Sequence, residues 1–354
     1  MSVKIGQFEI AKSKKTFVIA ELSANHNHRL DVALDTIKAA KEVGADAIKL
    51  QTYTADTITL DCDTEYFKIQ HGTIWDGETL HALYQKAYTP WEWHEQLMEY
   101  AHSLGLVCFS SPFDPTAVDF LEDLGVPAYK IASPEIFDIP LIRLVASKGK
   151  PVIISTGMAT LSDIELAVNT CREEGNDQII LLKCTSAYPT PLDEVDLNTI
   201  PNLRETFRCE VGLSDHTLGS VVAGAAVALG ARVVEKHFIL DKSLGGPDAA
   251  FSLDPKEFKQ LVDTIRNTEK ALGTVNYDLS EKMKKIKDFS RSLFISADVK
   301  KGDVVTEANV RSVRPGHGLH PKYLPQLLGK TFTQDVKRGV PVRRSFLEGD
   351  LDER

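Results

Sequence analysis

Two histidines, His216 and His237, each stand at the end of an apolar run of the sequence. Residues 219–230 between them have the composition of a helix, so the pair is typical of two consecutive parallel strands separated by one βα unit. The carboxyl ends of such strands carry the chemistry of α/β barrels and open α/β sheets, and imidazole binds divalent transition metals well. The spacing therefore predicts a metal site with two histidine ligands. The alternative is a pair of strand-end residues whose polar groups are simply satisfied.

Polar side chains also follow the other apolar runs. Lysines can supply charge and hydroxyls can supply directed hydrogen bonds to a phosphate or carboxylate, and a carboxylate beside them can act as acid or base. Taken singly, each residue could be a solvated lysine or a helix cap. Taken together, these strand-end residues favour an anion-binding catalytic site. The residues are Glu21, Asn25, Lys49, Gln51, Lys130, Ser133, Glu135, Ser155, Thr156, Lys183, Thr185, Ser186 and Ser214.

The lysines permit a second enzymatic interpretation, a Schiff-base aldolase in which a desolvated lysine is the nucleophile. The histidine pair argues against it, because a metal ion that polarises a carbonyl oxygen does the same electrophilic work.

The elements that must position these residues alternate along the chain. Amphipathic segments of helical length separate most of the apolar runs, and this alternation predicts a (β/α)8 barrel, with an open doubly wound sheet as the second choice. At 354 residues the chain suits one barrel of roughly 250 residues plus a small module. The predicted strands span residues 17–21, 47–51, 106–110, 128–132, 151–155, 178–184, 210–214 and 232–237.

The domain organisation follows from composition and turns. We expect a barrel domain over residues 1–278, a charged linker over 279–288 and a small, mostly β domain over 289–354. A domain of that size is marginally stable alone, so it should lean on another surface. An insertion over residues 54–90, at the catalytic end of the barrel, is expected to form part of the binding site.

Charge and hydropathy exclude several classes of function. The chain has 41 basic and 50 acidic side chains, a net charge of -9, so it has no general attraction to nucleic acid or to anionic membranes. No apolar stretch approaches the roughly 20 residues that span a bilayer, and no signal-peptide core is present at the start. Five cysteines without a C-x-x-C pair indicate reduced thiols. We expect a cytoplasmic protein.

Several of these segments together resemble the nonulosonic (sialic) acid synthases, and RPGHGL at residues 314–319 resembles their C-terminal antifreeze-like (SAF) domain. The likeness covers nearly the whole chain. The segments are IAELSANHN (residues 19–27), KLQ (49–51), FSSPFD (109–114), YKIASPE (129–135), ISTGM (154–158), GLSDHT (212–217), EKHF (235–238) and GPD (246–248).

This resemblance implies a condensation of phosphoenolpyruvate with the open-chain aldehyde of an N-acetylated amino sugar, with loss of phosphate by C–O cleavage. It implies that His216 and His237 hold Mn²⁺, or alternatively Mg²⁺ or Co²⁺, which polarises the aldehyde oxygen, and that Glu21 and Glu135 are catalytic. The residues implied to bind phosphoenolpyruvate are Lys49, Lys130, Ser133, Ser155, Ser186 and Ser214, and those implied to bind the sugar are Gln51, Tyr188, Asp248 and Arg314.

The sequence also indicates which sugar is used. Residues 21–27 and 87–94 resemble the branch of the family that uses 2,4-diacetamido-2,4,6-trideoxy-L-altrose, and N-acetylmannosamine and the legionaminate precursor are the rival substrates. Ser186 departs from the asparagine that neuraminate synthases typically carry, which fits a different sugar. The resemblance further implies a domain-swapped homodimer in which Arg314 completes the partner's site. A non-catalytic ice- or carbohydrate-binding protein is the alternative from another class.

Overall fold

The computed structural model describes residues 2–11, 14–70, 72 and 75–350. Three positions of the predicted insertion (71, 73 and 74) and the ends of the two predicted domains (1 and 351–354) lie outside the described residues. The chain divides after Gly273 into two compact units, and each is described by itself. The predicted limits at residues 278 and 288 stay predictions.

Eight parallel strands of the first unit close into a barrel, so the predicted (β/α)8 barrel is confirmed and the open sheet is wrong. Closure occurs where the last strand pairs with the first, with Val233 opposite Phe17 and His237 opposite Glu21. A short antiparallel hairpin that the apolar runs did not predict, β1 (Val3–Ile5) and β2 (Phe8–Ile10), precedes the barrel. The barrel strands are β3 (Phe17–Glu21), β4 (Ala47–Thr52), β5 (Val107–Pro112), β6 (Tyr129–Ile131), β7 (Val152–Ser155), β8 (Ile179–Cys184), β9 (Glu210–Asp215) and β10 (Val233–His237).

Helices connect successive strands and cover the barrel with their apolar faces. Several begin at side chains that accept backbone N–H groups of the first turn, among them Asp114, Thr160 and Asp254. The helices of this unit are α1 (Leu30–Glu42), α2 (Ala55–Ile58), α3 (Leu80–Ala87), α4 (His94–Ser103), α5 (Pro115–Asp123), α6 (Ile139–Ser147), α7 (Leu161–Glu173), α8 (Thr199–Phe207), α9 (Val221–Ala228) and α10 (Pro255–Leu272). The insertion supplies α2 and α3.

The amino-terminal part of the barrel interior is a packed apolar layer. Alternate residues of each strand point inward, and near the strand starts these residues are apolar and fully buried. The β1–β2 hairpin packs into the same cluster. This layer, to which we refer as the apolar plug, comprises Val3, Ile5, Ile10, Phe17, Ile19, Ala47, Val107, Phe109, Ala128, Ile153, Ile180, Leu182 and Val233.

The second unit has its own small core. It contains α11 (Glu281–Lys287), β11 (Ser292–Ile295), β12 (Val310–Val313) and α12 (Leu324–Leu327), with β11 and β12 antiparallel. Its buried cluster includes Leu293, Val310, Phe332 and Val342, contributed largely by irregular β-like segments. This matches the predicted small, mostly β domain. In the described parts of both units, no helix combines the length and apolarity needed to cross a membrane.

Candidate active site

The inward-facing side chains change character at the carboxyl ends of the barrel strands. On β3, β4 and β10 the residue two positions after an apolar plug residue is charged, and each of these charged side chains is buried. The charged residues are Glu21 after Ile19, Lys49 after Ala47 and Glu235 after Val233. Lys130, Ser155, Ser214 and His237 are also buried at this end.

Two lysines and two carboxylates form a compact ionic cluster. The Nζ atom of Lys49 lies 3.0 Å from Oε2 of Glu21 and 2.9 Å from Oε1 of Glu235. The Nζ atom of Lys130 lies 3.3 Å from the same Glu235 oxygen, to which the Ser214 hydroxyl donates a hydrogen bond of 3.1 Å. Side chains from five barrel strands, β3, β4, β6, β9 and β10, therefore meet at this cluster.

Neighbouring charges hold Glu21, Glu235 and Lys49 of this cluster in the ionised form, whereas burial lowers the pKa of Lys130. Burial alone would raise the pKa of Glu21, but Lys49, His237 and Lys130 outweigh it and place the pKa well below its usual value. Burial likewise opposes ionisation of Glu235, yet Lys130 and Lys49 lower its pKa. The pKa of Lys49 is raised against burial by Glu21 and Glu235. An anionic ligand can bind here by replacing one of the carboxylates as the ionic partner of a lysine.

Glu235 is the member of the cluster that the sequence analysis did not select. It stands two positions before His237 on β10, and the period of two in a strand places both side chains on one face. That spacing was a usable signal, since a second polar residue on the face of a predicted metal ligand must enter the same site.

The two histidines face each other at this end of the barrel, with ring centroids 5.4 Å apart. The Nδ1 atom of His216 lies 3.1 Å from the carbonyl oxygen of Thr185. Because a carbonyl only accepts, Nδ1 carries the hydrogen, so in the neutral ring the lone pair is on Nε2. His237 lies between two carboxylates, with Nε2 3.4 Å from Glu21 and Nδ1 3.7 Å from Asp248.

These residues fit a divalent metal ion that has two protein ligands. Within the described residues, no group of three or more His, Cys, Asp or Glu side chains is arranged to hold a metal. The Nδ1 atom of His237 is buried and has no hydrogen-bond partner in the part of the chain that the structure describes. Two imidazole donors leave most coordination positions to water and substrate, which suits a catalytic ion better than a structural one.

A second part of the site surrounds Gly157, which follows β7. Its N–H donates to the Ser133 hydroxyl over 3.1 Å. A Cβ atom added here would lie 2.5 Å from the Ser186 hydroxyl and 2.9 Å from both Ser133 Oγ and Cys184 Sγ. Ser155 Oγ is buried without a hydrogen-bond partner in the part of the chain that the structure describes. The hydroxyls of Ser133 and Ser186 at Gly157, with the unsatisfied hydroxyl of Ser155 two residues before it, are groups that can donate hydrogen bonds to an anion.

Glu135 lies in a single turn of 3-10 helix (Pro134–Phe137) that follows β6, and the pKa of its carboxyl is unusual. Burial raises its pKa to about 7, in spite of Lys130 nearby. One of its carboxyl oxygens, Oε2, is buried and has no hydrogen-bond partner among the described residues. A carboxyl that titrates near neutrality can either donate or accept a proton.

The residues expected at the sugar lie around the same opening, with one exception. Gln51 donates a 2.8 Å hydrogen bond to Glu21, the Tyr188 ring lies 4.4 Å from the His216 ring, and Asp248 accepts from the Ser23 hydroxyl. Arg314 belongs to the second unit, where it is exposed at the end of β12.

A cavity of about 900 Å³ opens beside these residues, and the insertion forms much of its wall. Trp75 of the insertion donates an Nε1–H hydrogen bond of 3.1 Å to the carbonyl oxygen of Pro247, and its ring lies 5.8 Å from that of Tyr188. His28 and Tyr88, whose rings are 4.9 Å apart, line the opposite part of the wall. The cavity is large enough for a substituted hexose.

The fold and site define a family of synthases. Residues 36–277 match the NeuB family and residues 290–348 match the SAF domain. The chain therefore belongs to the NeuB family, and the resemblance inferred from the sequence is confirmed.

Individual members of this family are similar to the chain over nearly its whole length. The chain is 50% identical to the pseudaminic acid synthase of Campylobacter jejuni, over 97% of this chain and 99% of that protein. It is 46% identical to the pseudaminic acid synthase of Helicobacter pylori, over 94% of this chain and 98% of that protein. Among solved structures, the N-acetylneuraminic acid synthetase of Leptospira borgpetersenii, in complex with citrate, matches with a TM-score of 0.71 and 31% identity, over 81% of this chain and 95% of that one.

Proposed function

We propose that the chain catalyses the pseudaminic acid synthase reaction. Phosphoenolpyruvate, 2,4-diacetamido-2,4,6-trideoxy-L-altrose and water give pseudaminic acid and phosphate. The observation that carries the proposal is the buried pair Lys49 and Lys130 at the same end of the barrel as His216 and His237. The half-identity to pseudaminic acid synthases over nearly the full length supports the choice of sugar.

The lysines and serines bind phosphoenolpyruvate in this proposal. Its carboxylate and phosphate replace Glu21 and Glu235 as partners of Lys49 and Lys130, and the phosphate oxygens accept hydrogen bonds from the hydroxyls around Gly157. The ionic cluster is neutral before binding when both lysines and both carboxylates are ionised, so an added cation nearby favours uptake of the anionic substrate. When bound at His216 and His237, a divalent ion, Mn²⁺ in our proposal, supplies Lewis acidity toward a carbonyl oxygen.

The reaction requires three proton transfers. Carbon C3 of phosphoenolpyruvate bonds to the aldehyde carbon, whose oxygen takes up a proton to become a hydroxyl. Water adds at C2 and loses one proton, and the tetrahedral intermediate passes its remaining hydroxyl proton to the departing phosphate as the C2–O bond breaks and the C2 ketone forms. Glu21, 3.4 Å from His237, is the carboxyl on the aldehyde side, and its pKa rises when a bound anion occupies Lys49. Glu135, whose pKa is about 7, accepts the proton from water.

The direct test is to measure phosphate release with each purified sugar, with and without Mn²⁺. We expect turnover of the altrose sugar and little with N-acetylmannosamine or the legionaminate precursor. If the altrose sugar is not turned over, the proposed substrate is wrong. Trapping of a lysine by borohydride, together with indifference to chelators, would instead favour the Schiff-base aldolase.

We further propose a domain-swapped homodimer that works in the cytoplasm. Apolar side chains between 50% and 78% exposed follow the carboxyl ends of four adjacent barrel strands, which is typical of a surface covered by a partner. These side chains are Phe137, Met158, Leu192, Leu218 and Val221. The five cysteines are free thiols, which suits a reducing compartment.

Mixed dimers test whether Arg314 serves the partner's site. His237→Ala and Arg314→Ala chains should each be inactive, but a re-equilibrated mixture should recover about a quarter of wild-type activity, because half the dimers then contain one intact site. No recovery in a mixture shown to exchange subunits would contradict the arrangement.

A further inference from the structure

A fully buried ion pair lies on the outer face of the two strands that carry the histidines. Lys236 is 0% exposed and Asp215 is 2% exposed, and Nζ of Lys236 lies 2.9 Å from Oδ2 of Asp215. Because side chains alternate along a strand, these two point away from the barrel interior while His216 and His237 point into it. The ion pair therefore stands outside the set of groups that can touch a substrate or a metal.

Stabilisation of the fold is a weak explanation for the presence of this buried ion pair. Removing two charges from water costs several kcal/mol, and apolar residues of similar volume in the same place are often as stable or more stable. The well-attested use of a buried ion pair is to select one arrangement of the elements that it joins.

The pair stands where the backbone pairing between β9 and β10 stops. The last opposed residues of this ladder are Asp215 and Lys236, and His216 lies one position beyond the end of β9. Thr217, on the far side of His216, donates to Oδ1 of Asp215 through its N–H at 2.9 Å and its hydroxyl at 2.7 Å. The Lys236 ammonium also donates to the Thr217 carbonyl oxygen. Both flanks of His216 are thereby tied to the strand that carries His237.

The other hydrogen bonds of His216 lead elsewhere. Its ring donates to the carbonyl oxygen of Thr185, with Sγ of Cys184 3.8 Å from the same Nδ1 atom, and its own carbonyl oxygen accepts from the N–H of Thr190 at 3.0 Å. These partners lie at the end of β8 or in the segment after it. They orient the His216 ring but do not set its distance from β10.

We propose that Asp215 and Lys236 are positioning residues that fix the separation of His216 and His237 for metal binding. The inference rests on the proposed function, since it presupposes a metal at the histidine pair. Without the network, the backbone around His216 is free to move relative to β10, and metal binding must then order it. Loss of supporting groups of this kind typically weakens metal affinity by about 10- to 100-fold.

The test is the double substitution Asp215→Leu with Lys236→Met, which replaces the ion pair by apolar side chains. The dissociation constant for Mn²⁺ is measured by calorimetry on metal-free protein, and thermal unfolding of the same protein is followed in parallel. We expect an unchanged or higher unfolding temperature together with Mn²⁺ binding weakened by about 10- to 100-fold. Wild-type affinity for Mn²⁺ in the folded double variant would overturn the proposal.

A milder variant keeps the test decisive if the double variant does not fold. Thr217→Val is nearly isosteric and retains the ion pair, but it removes the hydroxyl that donates to Asp215. It should weaken Mn²⁺ binding in the same direction by a smaller factor, and wild-type affinity here would also count against the proposal.

Two controls separate this inference from the proposed function. Asp46→Leu with Arg266→Met removes a partly buried ion pair of the same length, 2.9 Å, near the start of β4, and should leave Mn²⁺ affinity unchanged. His237→Ala should abolish Mn²⁺ binding. If His237→Ala binds Mn²⁺ as the wild type does, the metal site itself is wrong. If only the Asp215 and Lys236 variant behaves as wild type, only the positioning role is wrong.

Discussion

The two ends of this barrel use the same eight strands and treat their inward-facing positions in opposite ways. At the amino-terminal end the inward side chains form the apolar plug, in which Phe17, Phe109 and their neighbours are wholly buried. At the carboxyl end many inward side chains are charged or polar and equally buried, and the charged ones contact one another within 3.3 Å. Along β3, β4 and β10 only one residue separates an apolar inward-facing position from a charged one.

This contrast shows how one layer of a barrel supports another. The plug closes the barrel below the ionic cluster and keeps water from reaching it on that side. In such surroundings a charge pair interacts more strongly than it does in water, and an unpaired charge costs more. The plug should therefore determine stability, while the charged end should determine both stability and chemistry. Four substitutions test this division.

The largest effect is expected from Lys49→Met. The substitution leaves Glu21 and Glu235 buried without the cation that touches both, so it should destabilise the fold by about 3–5 kcal/mol and abolish phosphate release. Denaturant unfolding and the phosphate assay measure the two effects. Lys256→Met, at an exposed position of α10, is the matched control and should change stability by less than about 0.5 kcal/mol. Retained activity in Lys49→Met would contradict the assigned role.

Phe109→Ala should damage the other end of the barrel. Truncating this fully buried ring leaves a cavity in the apolar plug, with an expected loss of about 3–5 kcal/mol in the free energy of unfolding. The Michaelis constants of the fraction that stays folded should change little, because the ring belongs to the apolar plug and carries no polar group that could bind a substrate. A rise in either constant at a temperature well below unfolding would show that the two ends are coupled.

Gly157→Ala should affect one substrate more than the other. The added Cβ would meet the Ser186 and Ser133 hydroxyls and Cys184 at distances that force them to move. Such overpacking costs about 1–3 kcal/mol. We expect the Michaelis constant for phosphoenolpyruvate to rise while that for the sugar changes little, as measured by steady-state kinetics. An equal rise for both substrates would argue against a phosphate cradle at this position.

The last effect depends on pH. The Glu135 carboxyl titrates near 4.5 in the unfolded chain and near 7 in the folded one. Between these values the folded state keeps a proton that the unfolded state has lost, so the free energy of unfolding falls as pH rises from about 4.5 to about 7. Glu135→Gln should remove that part of the decline, as measured by urea midpoints across this range. An identical decline in both proteins would show that other groups cause it.

Local pattern was enough for the strands and for much of the site. All eight barrel strands were predicted because buried parallel strands are continuous apolar runs, and the histidines at their ends were visible for the same reason. The β1–β2 hairpin was missed because strands of three residues are too short to show a period. Glu235 was missed because its role depends on Lys49 and Lys130, which stand far from it in the sequence.

By itself the sequence determined which residues end the strands, and hence that lysines, carboxylates and two histidines would meet at one end of a barrel. Only the tertiary structure decided which of them touch. The closure of β10 against β3 brings Glu21 to His237, and the order of strands brings Glu235 between two lysines. Alternation along one strand is a local property that residue spacing reveals, whereas contact between strands depends on their order and register, which no single segment contains.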